Sequence, residues 1–336
     1  MSICLAQDTL SPSLQLLLFT VCLVVAVVLA AAIGVYRARS VIGPDRFPPD
    51  LALWRLALAG VIAATIWLGL QVAYVAVKAA AVMRTHPGEH FDVERHLNAN
   101  DYAVLATVPF IVGFLIMLAL DRSLDRRTLD SIGLGARHFL GGVLRGLLGI
   151  LITFPLIICS SLIVEQLYRA VHFDHPSAHE LLAEMKQTNQ PLVRAALILG
   201  AAVLAPLFEE YLFRGHIQTF LVSIFTMSQR RPHHAFEVIV TPQPETLDPS
   251  APNTPSLDYQ TPPPPTDRRS TRAVWMGILL TSLLFALIHP LWTAPLIFVL
   301  SICLGYAYER TGNLWVPITI HALFNTISTI EYLYFF

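Results

Sequence analysis

Eight apolar runs, most of them about as long as a bilayer is thick, restrict this chain more than any other feature. They fall at about 14–36, 56–82, 102–120, 139–165, 192–226, 273–289, 294–309 and 315–336. A helix needs about 20 mainly apolar residues to cross a membrane, since each adds about 1.5 Å of rise against about 30 Å of hydrocarbon. The pattern predicts an all-α, polytopic transmembrane bundle of about eight spans. Composition agrees: 55% of the 336 residues are hydrophobic and 13% charged, where a soluble domain carries about 25% charged residues. The 22 Lys+Arg nearly balance the 23 Asp+Glu, which removes the basic surplus of a nucleic-acid binder. The run at 192–226 is long for one span and reads as one tilted helix or as two helices broken near Pro206.

The first run is better read as a retained helix than as a signal peptide, because Asp8 and no Lys or Arg precede it. Cys4, Cys22, Cys159 and Cys303 form no CxxC pair and read as small core residues. Arginines cluster after the first run (Arg37, Arg39, Arg46), after the third (Arg122, Arg126, Arg127, Arg137) and around the loop after the fifth (Arg230, Arg231, Arg268, Arg269, Arg272). Positively charged loops stay in the cytoplasm, so both termini are expected outside it. Arg55, Lys78 and Arg145, near or within spans, should snorkel or face the bundle. The stretch 228–271, with Pro262-Pro263-Pro264-Pro265, cannot bury a core and is expected to be a disordered cytoplasmic insertion; His233-His234 within it reads as solvated loop. Gly142 and Gly146 form a GxxxG, a signal of close helix packing.

Ionisable residues inside a span are costly and mark candidate sites. Three stretches carry them. In the first, Pro206–Gly215, the adjacent Glu209 and Glu210 precede Arg214. At 100° per residue Glu210 and Arg214 share a helix face while Glu209 points elsewhere, so Arg214 should neutralise Glu210 and leave Glu209 free. Burial and a nearby cation act oppositely on a carboxyl, so the doublet can hold two different protonation states. His216 lies nearly on the Glu209 face but two turns away. The second stretch is Phe285–His289, closed by Pro290, and the third is His321–Asn325, an i, i+4 pair. Taken singly, each reads as a satisfied polar residue or as helix–helix glue.

Together, one carboxylate, two histidines and an amide are the groups that hydrolyse a peptide bond: a base takes a proton from water, and donors meet the oxygen that becomes negative. Glu209, His289 and His321 also make a plausible three-ligand catalytic zinc set. Other signatures are missing: His179-Glu180-Leu181-Leu182-Ala183 fails HExxH at its last position, and there is no GxSxG, GxGD, Walker A or GxGxxG.

The motifs EExxxR (Glu209, Glu210, Arg214), FxxxH (Phe285, His289) and HxxxN (His321, Asn325), in that order on apolar helices, resemble the CPBP family. This family comprises CAAX prenyl endopeptidases and bacteriocin-processing or immunity proteins, also called Abi. The resemblance covers about 192–329, including Arg310-Thr311-Gly312-Asn313-Leu314-Trp315, and departs from the pattern in its Pro-rich insertion. It implies an intramembrane endopeptidase in which Glu209, assisted by His289, activates water. His321 and Asn325 would form the oxyanion site, supported by Glu210, Arg214 and Phe285. Metal dependence stays open between a glutamate-activated water and zinc. The implied layout is an accessory four-span region at 1–185 and a protease core at 186–336, in a multi-pass protein of a bacterial inner membrane. The substrate would be a peptide or membrane protein. Two other classes remain: a non-catalytic membrane partner or immunity protein, and a small-solute transporter. For the motifs to meet, helices must tilt or break, with Pro290 and Pro295 as the candidate break, around a water-filled cavity open to the cytoplasm.

Overall fold

The computed structural model describes residues 11–32, 53–86, 92–125, 127–176, 180–228 and 270–335. Arg37, Arg39, Arg46, Arg126, Arg230, Arg231, Arg268 and Arg269, nearly all of the proline-rich stretch with His233 and His234, and Asp8, Cys4 and His179 lie outside the described residues. All eight apolar runs form helices: α1 Pro12–Ala32, α2 Leu53–Thr85, α3 Ala99–Leu124, α4 Phe139–Ala170, then the short α5 Glu180–Gln187, the composite α6 Pro191–Ser228, α7 Thr271–Leu287, α8 Ala294–Thr311 and α9 Trp315–Phe335. No strand occurs among the described residues. Five stretches are long and apolar enough to span a membrane: α1, α2, α3, the segment Thr128–Ala170 that includes α4, and α6. The α7 helix is apolar but shorter, while α8 and α9 bury polar residues such as Ser301, Glu309 and His321. The chain is therefore a polytopic helical membrane bundle.

Local chemistry sets the helix ends. Asn98 caps α3, accepting from the Asp101 amide while Asp101 accepts from the Asn98 amide, which satisfies two orphan donors at once. Ser270 caps α7 by accepting from the Ala273 amide. The α8 helix stops at Gly312, whose φ of 65° is left-handed and cheap only for glycine. Next to it Gly133, at φ 78°, lies so close that a Cβ would sit 2.3 Å from the Gly312 carbonyl oxygen. Asn313 donates to the His138 carbonyl and accepts from the Trp315 amide, while the Trp315 indole donates to the Leu134 carbonyl. The turn before α9 is thereby fixed to the 133–138 loop, and with it the direction in which α9 leaves.

The alternatives left open for 192–226 resolve into one continuous helical path whose register changes twice. Gly200–Leu204 and Tyr211–Gln218 are π-helical, with the α-helical Ala205–Glu210 between them. Such insertions recur at functional sites. The GxxxG of α4 packs against α9: a Cβ at Gly142 would meet Trp315 Cβ at 2.4 Å, and one at Gly146 would meet Thr319 Cβ at 2.5 Å. Arg55 donates to the Leu124 carbonyl and Lys78 pairs with the buried Asp101 at 2.6 Å, so both face the bundle. Cys22, Cys159 and Cys303 are free thiols, the first two buried. One core runs through both halves of the chain, joining Ala63 of α2 and Met117 of α3 to Phe208 and Tyr211 of α6, Phe285 of α7 and Tyr308 of α8.

Candidate active site

The site is built where α6, α7, α8 and α9 meet. Glu210 is completely buried and its two oxygens are divided between partners: Oε2 lies 3.0 Å from Arg214 Nε, and Oε1 accepts from His321 Nδ1 at 2.8 Å. Arg214, also completely buried, donates through Nη2 to the Ser301 hydroxyl at 2.8 Å and carbonyl at 3.3 Å. Its guanidinium lies 4.7 Å from the centre of the Phe285 ring, a contact that stabilises a desolvated cation. Glu209 has a different setting. Its side chain keeps 11% of its surface against none for Glu210, and its Oε2 faces His321 Nε2 at 3.9 Å. That separation is beyond a hydrogen bond.

Because Nδ1 of His321 is held by the Glu210 carboxylate, the second ring nitrogen is aimed at Glu209. His289 stands just beyond the end of α7. Its Nδ1 lies 2.7 Å from the Phe285 carbonyl, which can only accept, so Nδ1 is the protonated nitrogen and Nε2 is left as the acceptor of a neutral ring. The two imidazoles both rest on the Phe285 ring, with centroids at 4.8 Å for His289 and 5.9 Å for His321. Phe285 is the platform shared by Arg214, His289 and His321. At 17 residues, α7 rises only about 25 Å, less than the hydrocarbon thickness. The turn after it, carrying Pro290, is tied down by the Tyr168 hydroxyl on the Trp292 carbonyl and by the His175 ring stacked on Trp292.

Asn325 is oriented by backbone chemistry that sequence spacing did not expose. In the π register the Ala205 amide donates to Gly200, and the next donor in line, five residues after Ala201, would be Pro206, which has no N–H. The Ala201 carbonyl is thus left without its helical partner, and Asn325 Nδ2 donates to it at 2.8 Å. One amide proton of Asn325 is spent on the fold and the other remains.

The three residues that the sequence offers as a zinc set do not fit that role here. Among the described residues no group of three or more His, Cys, Asp or Glu is placed to hold a metal. Each histidine packs against the Phe285 ring, and both Nδ1 atoms are engaged, His321 with Glu210 and His289 with the Phe285 carbonyl. His216, though near the Glu209 face by a regular helical count, turns instead toward Asp121 of α3. Its Nδ1 donates to the Tyr211 carbonyl at 3.0 Å and its Nε2 faces Asp121 at 3.1 Å, while the Tyr211 hydroxyl also donates to Asp121. Neither Ser301 nor Asp121 stood out in the sequence. Asp121 was the legible one, an acid at the very edge of the run 102–120.

Residues 191–327 match the family model for type II CAAX prenyl endopeptidase Rce1-like proteins, and all three motifs fall inside that match. This region is similar to that family, in agreement with the CPBP resemblance carried by its three motifs. No curated protein and no solved structure gives a match to the chain. The match supports, at family level, an intramembrane endopeptidase, and it agrees with the apolar helices of an integral membrane protein.

Proposed function

We propose that the chain hydrolyses peptide bonds of a membrane-associated protein or peptide, with Glu209 as the base that activates water. The observation that carries this reading is the division of labour in the carboxylate pair. Glu210 has both oxygens engaged by Arg214 and His321, whereas Glu209 keeps some access and faces an imidazole across a gap. A water held between Glu209 and His289 Nε2 loses a proton to Glu209 as its oxygen bonds to the scissile carbonyl carbon. The carbonyl oxygen becomes negative and meets His321 and the second amide proton of Asn325. The C–N bond then breaks and the leaving nitrogen takes up the proton from Glu209.

The orientation with both termini outside the cytoplasm, a bacterial inner membrane, and the division into an accessory 1–185 and a protease core 186–336 belong to the same proposal. The arginine distribution supports the orientation, and the span of the family match supports the division. The alternative of a non-catalytic partner or immunity protein is separated by Glu209→Gln in the purified, reconstituted protein. Processing of precursors found by comparing membrane proteomes should fall by at least about a thousandfold, from loss of the base together with the water it orients, while the variant still folds. Full activity in the folded variant rules out Glu209 as the base. Turnover by protein stripped of metal with a chelator is expected to persist.

A further inference from the structure

Of the four residues proposed for the chemistry, Glu209, His321 and Asn325 stand inside helices, whereas His289 lies on the connection 288–293 between α7 and α8. On one side its ring is tied to α7 through the Phe285 carbonyl. The backbone on its other side has no such tie of its own: Ile288 and Leu291 are exposed, and Pro290 has no N–H to continue the α7 ladder. From Pro290 onward the chain is folded onto the start of α8. The Pro290 carbonyl accepts from the Thr293 amide and hydroxyl, both at 2.8 Å, and from the Ala294 amide at 3.1 Å. The placing of His289 across the proline therefore depends on where the turn 291–293 is held.

The end of α4 supplies the anchor. His172 takes a left-handed φ of 52° and the Phe173 amide donates back to the Tyr168 carbonyl at 2.9 Å, the pattern that reverses a chain at a helix end. The reversal lays His175 over the Tyr168 ring, with centroids 5.3 Å apart. Trp292 is then gripped at two points. The Tyr168 hydroxyl donates to its carbonyl at 2.9 Å, and the His175 ring stacks on its indole at 5.4 Å and 10°. His175 is itself fixed, with Nδ1 donating to the Pro176 carbonyl at 3.0 Å and Nε2 lying 3.3 Å from Glu165. Glu165, buried, receives Arg169 Nε on its other oxygen at 3.0 Å. We infer that Trp292 is a positioning residue for His289, clamped by Tyr168, His175 and Glu165. The inference rests on the reading of His289 as a holder of the attacking water. It gives α4, outside the family match, a part in the reaction, because a displacement of about 1 Å can cost about a hundredfold in rate.

The test uses the full reconstituted chain and, as probe, a fluorogenic peptide copied from a precursor that accumulates with Glu209→Gln. Trp292→Ala should lower kcat about thirtyfold with KM changed by less than about twofold, as when a reacting group is displaced and binding is kept. Trp292→Phe, which leaves a ring for His175 to stack on, should recover most of the loss. Tyr168→Phe removes one hydroxyl and should lower kcat about fivefold; it carries the test if Trp292→Ala does not fold. Hydrogen exchange over 288–293 should speed up in each impaired variant. In a His289→Ala background, Trp292→Ala or Tyr168→Phe should add almost nothing, since a residue that acts through His289 has nothing left to position. Losses that multiply, exchange that does not change, or faster exchange at an unchanged kcat would overturn the inference and leave the protease reading standing. Cleavage by His289→Ala at the wild-type rate would instead remove the role assigned to His289, and the inference with it.

Discussion

Asn325 illustrates how one missing proton donor propagates. Pro206 cannot donate to the Ala201 carbonyl, the π register gives the Ala205 amide to Gly200, and a side chain from α9 takes the vacant acceptor. Asn325→Ala should therefore destabilise the protein by about 1 kcal/mol, the usual net worth of a partly buried hydrogen bond, read by thermal unfolding of purified protein. Pro206→Ala restores an amide at this place, so Asn325→Ala should cost less in that background. Equal costs in the two backgrounds would disconnect the residues. The Glu210–Arg214 pair behaves differently. Arg214→Met strands a buried carboxylate and should cost about 3–5 kcal/mol. Glu210→Gln/Arg214→Met, which removes both charges, should cost less than Arg214→Met alone in the same unfolding measurement.

Helix contacts set the spacing of the site through the α4–α9 seam. Thr319, which touches the space a Gly146 side chain would fill, lies two residues before His321. Gly146→Ala should push the two helices apart and reduce proteolytic turnover, whereas Gly141→Ala, whose added carbon meets nothing within 4 Å, should leave turnover unchanged and stabilise α4 by about 0.5–1 kcal/mol. Comparable turnover of the two variants in one peptide-cleavage assay would remove the seam from any role in positioning His321. Of the two alternatives for 192–226, the break near Pro206 did not occur. Proline at the second residue of Ala205–Glu210 sits where the helix is already re-registered by π turns, so its missing amide changes the hydrogen-bond ladder without interrupting the helix.

Across the whole molecule, the two halves are joined in the core rather than laid side by side. Asp121 of α3 receives the Tyr211 hydroxyl and faces the His216 imidazole of α6, within the same core that holds Phe285. Removing that carboxylate leaves two buried polar groups without a partner. Asp121→Ala should lower the unfolding temperature by several degrees and reduce turnover through α6, without altering cleavage specificity. A drop in turnover at unchanged thermal stability would instead assign Asp121 a direct part in the chemistry. His216 could not be placed from the sequence because a regular 100° count fails across the π segment Tyr211–Gln218. The i, i+4 relation of Glu210 and Arg214 survives that segment, since only one turn separates them.

The membrane-spanning class and the helical runs follow from the sequence alone, because bilayer thickness and backbone hydrogen bonding leave a chain this apolar few other choices. The neutralised Glu210 beside a freer Glu209 was equally legible, being a matter of neighbours on a single turn. Tertiary structure decided everything that depends on distance between segments: that Phe285 seats both imidazoles, that Ser301 holds Arg214, that Asn325 completes α6, and that Glu209, His289 and His321 are not gathered into a three-ligand metal group. The reason is physical: local spacing fixes which residues share a face, but tilt, helix length and register changes determine which faces meet.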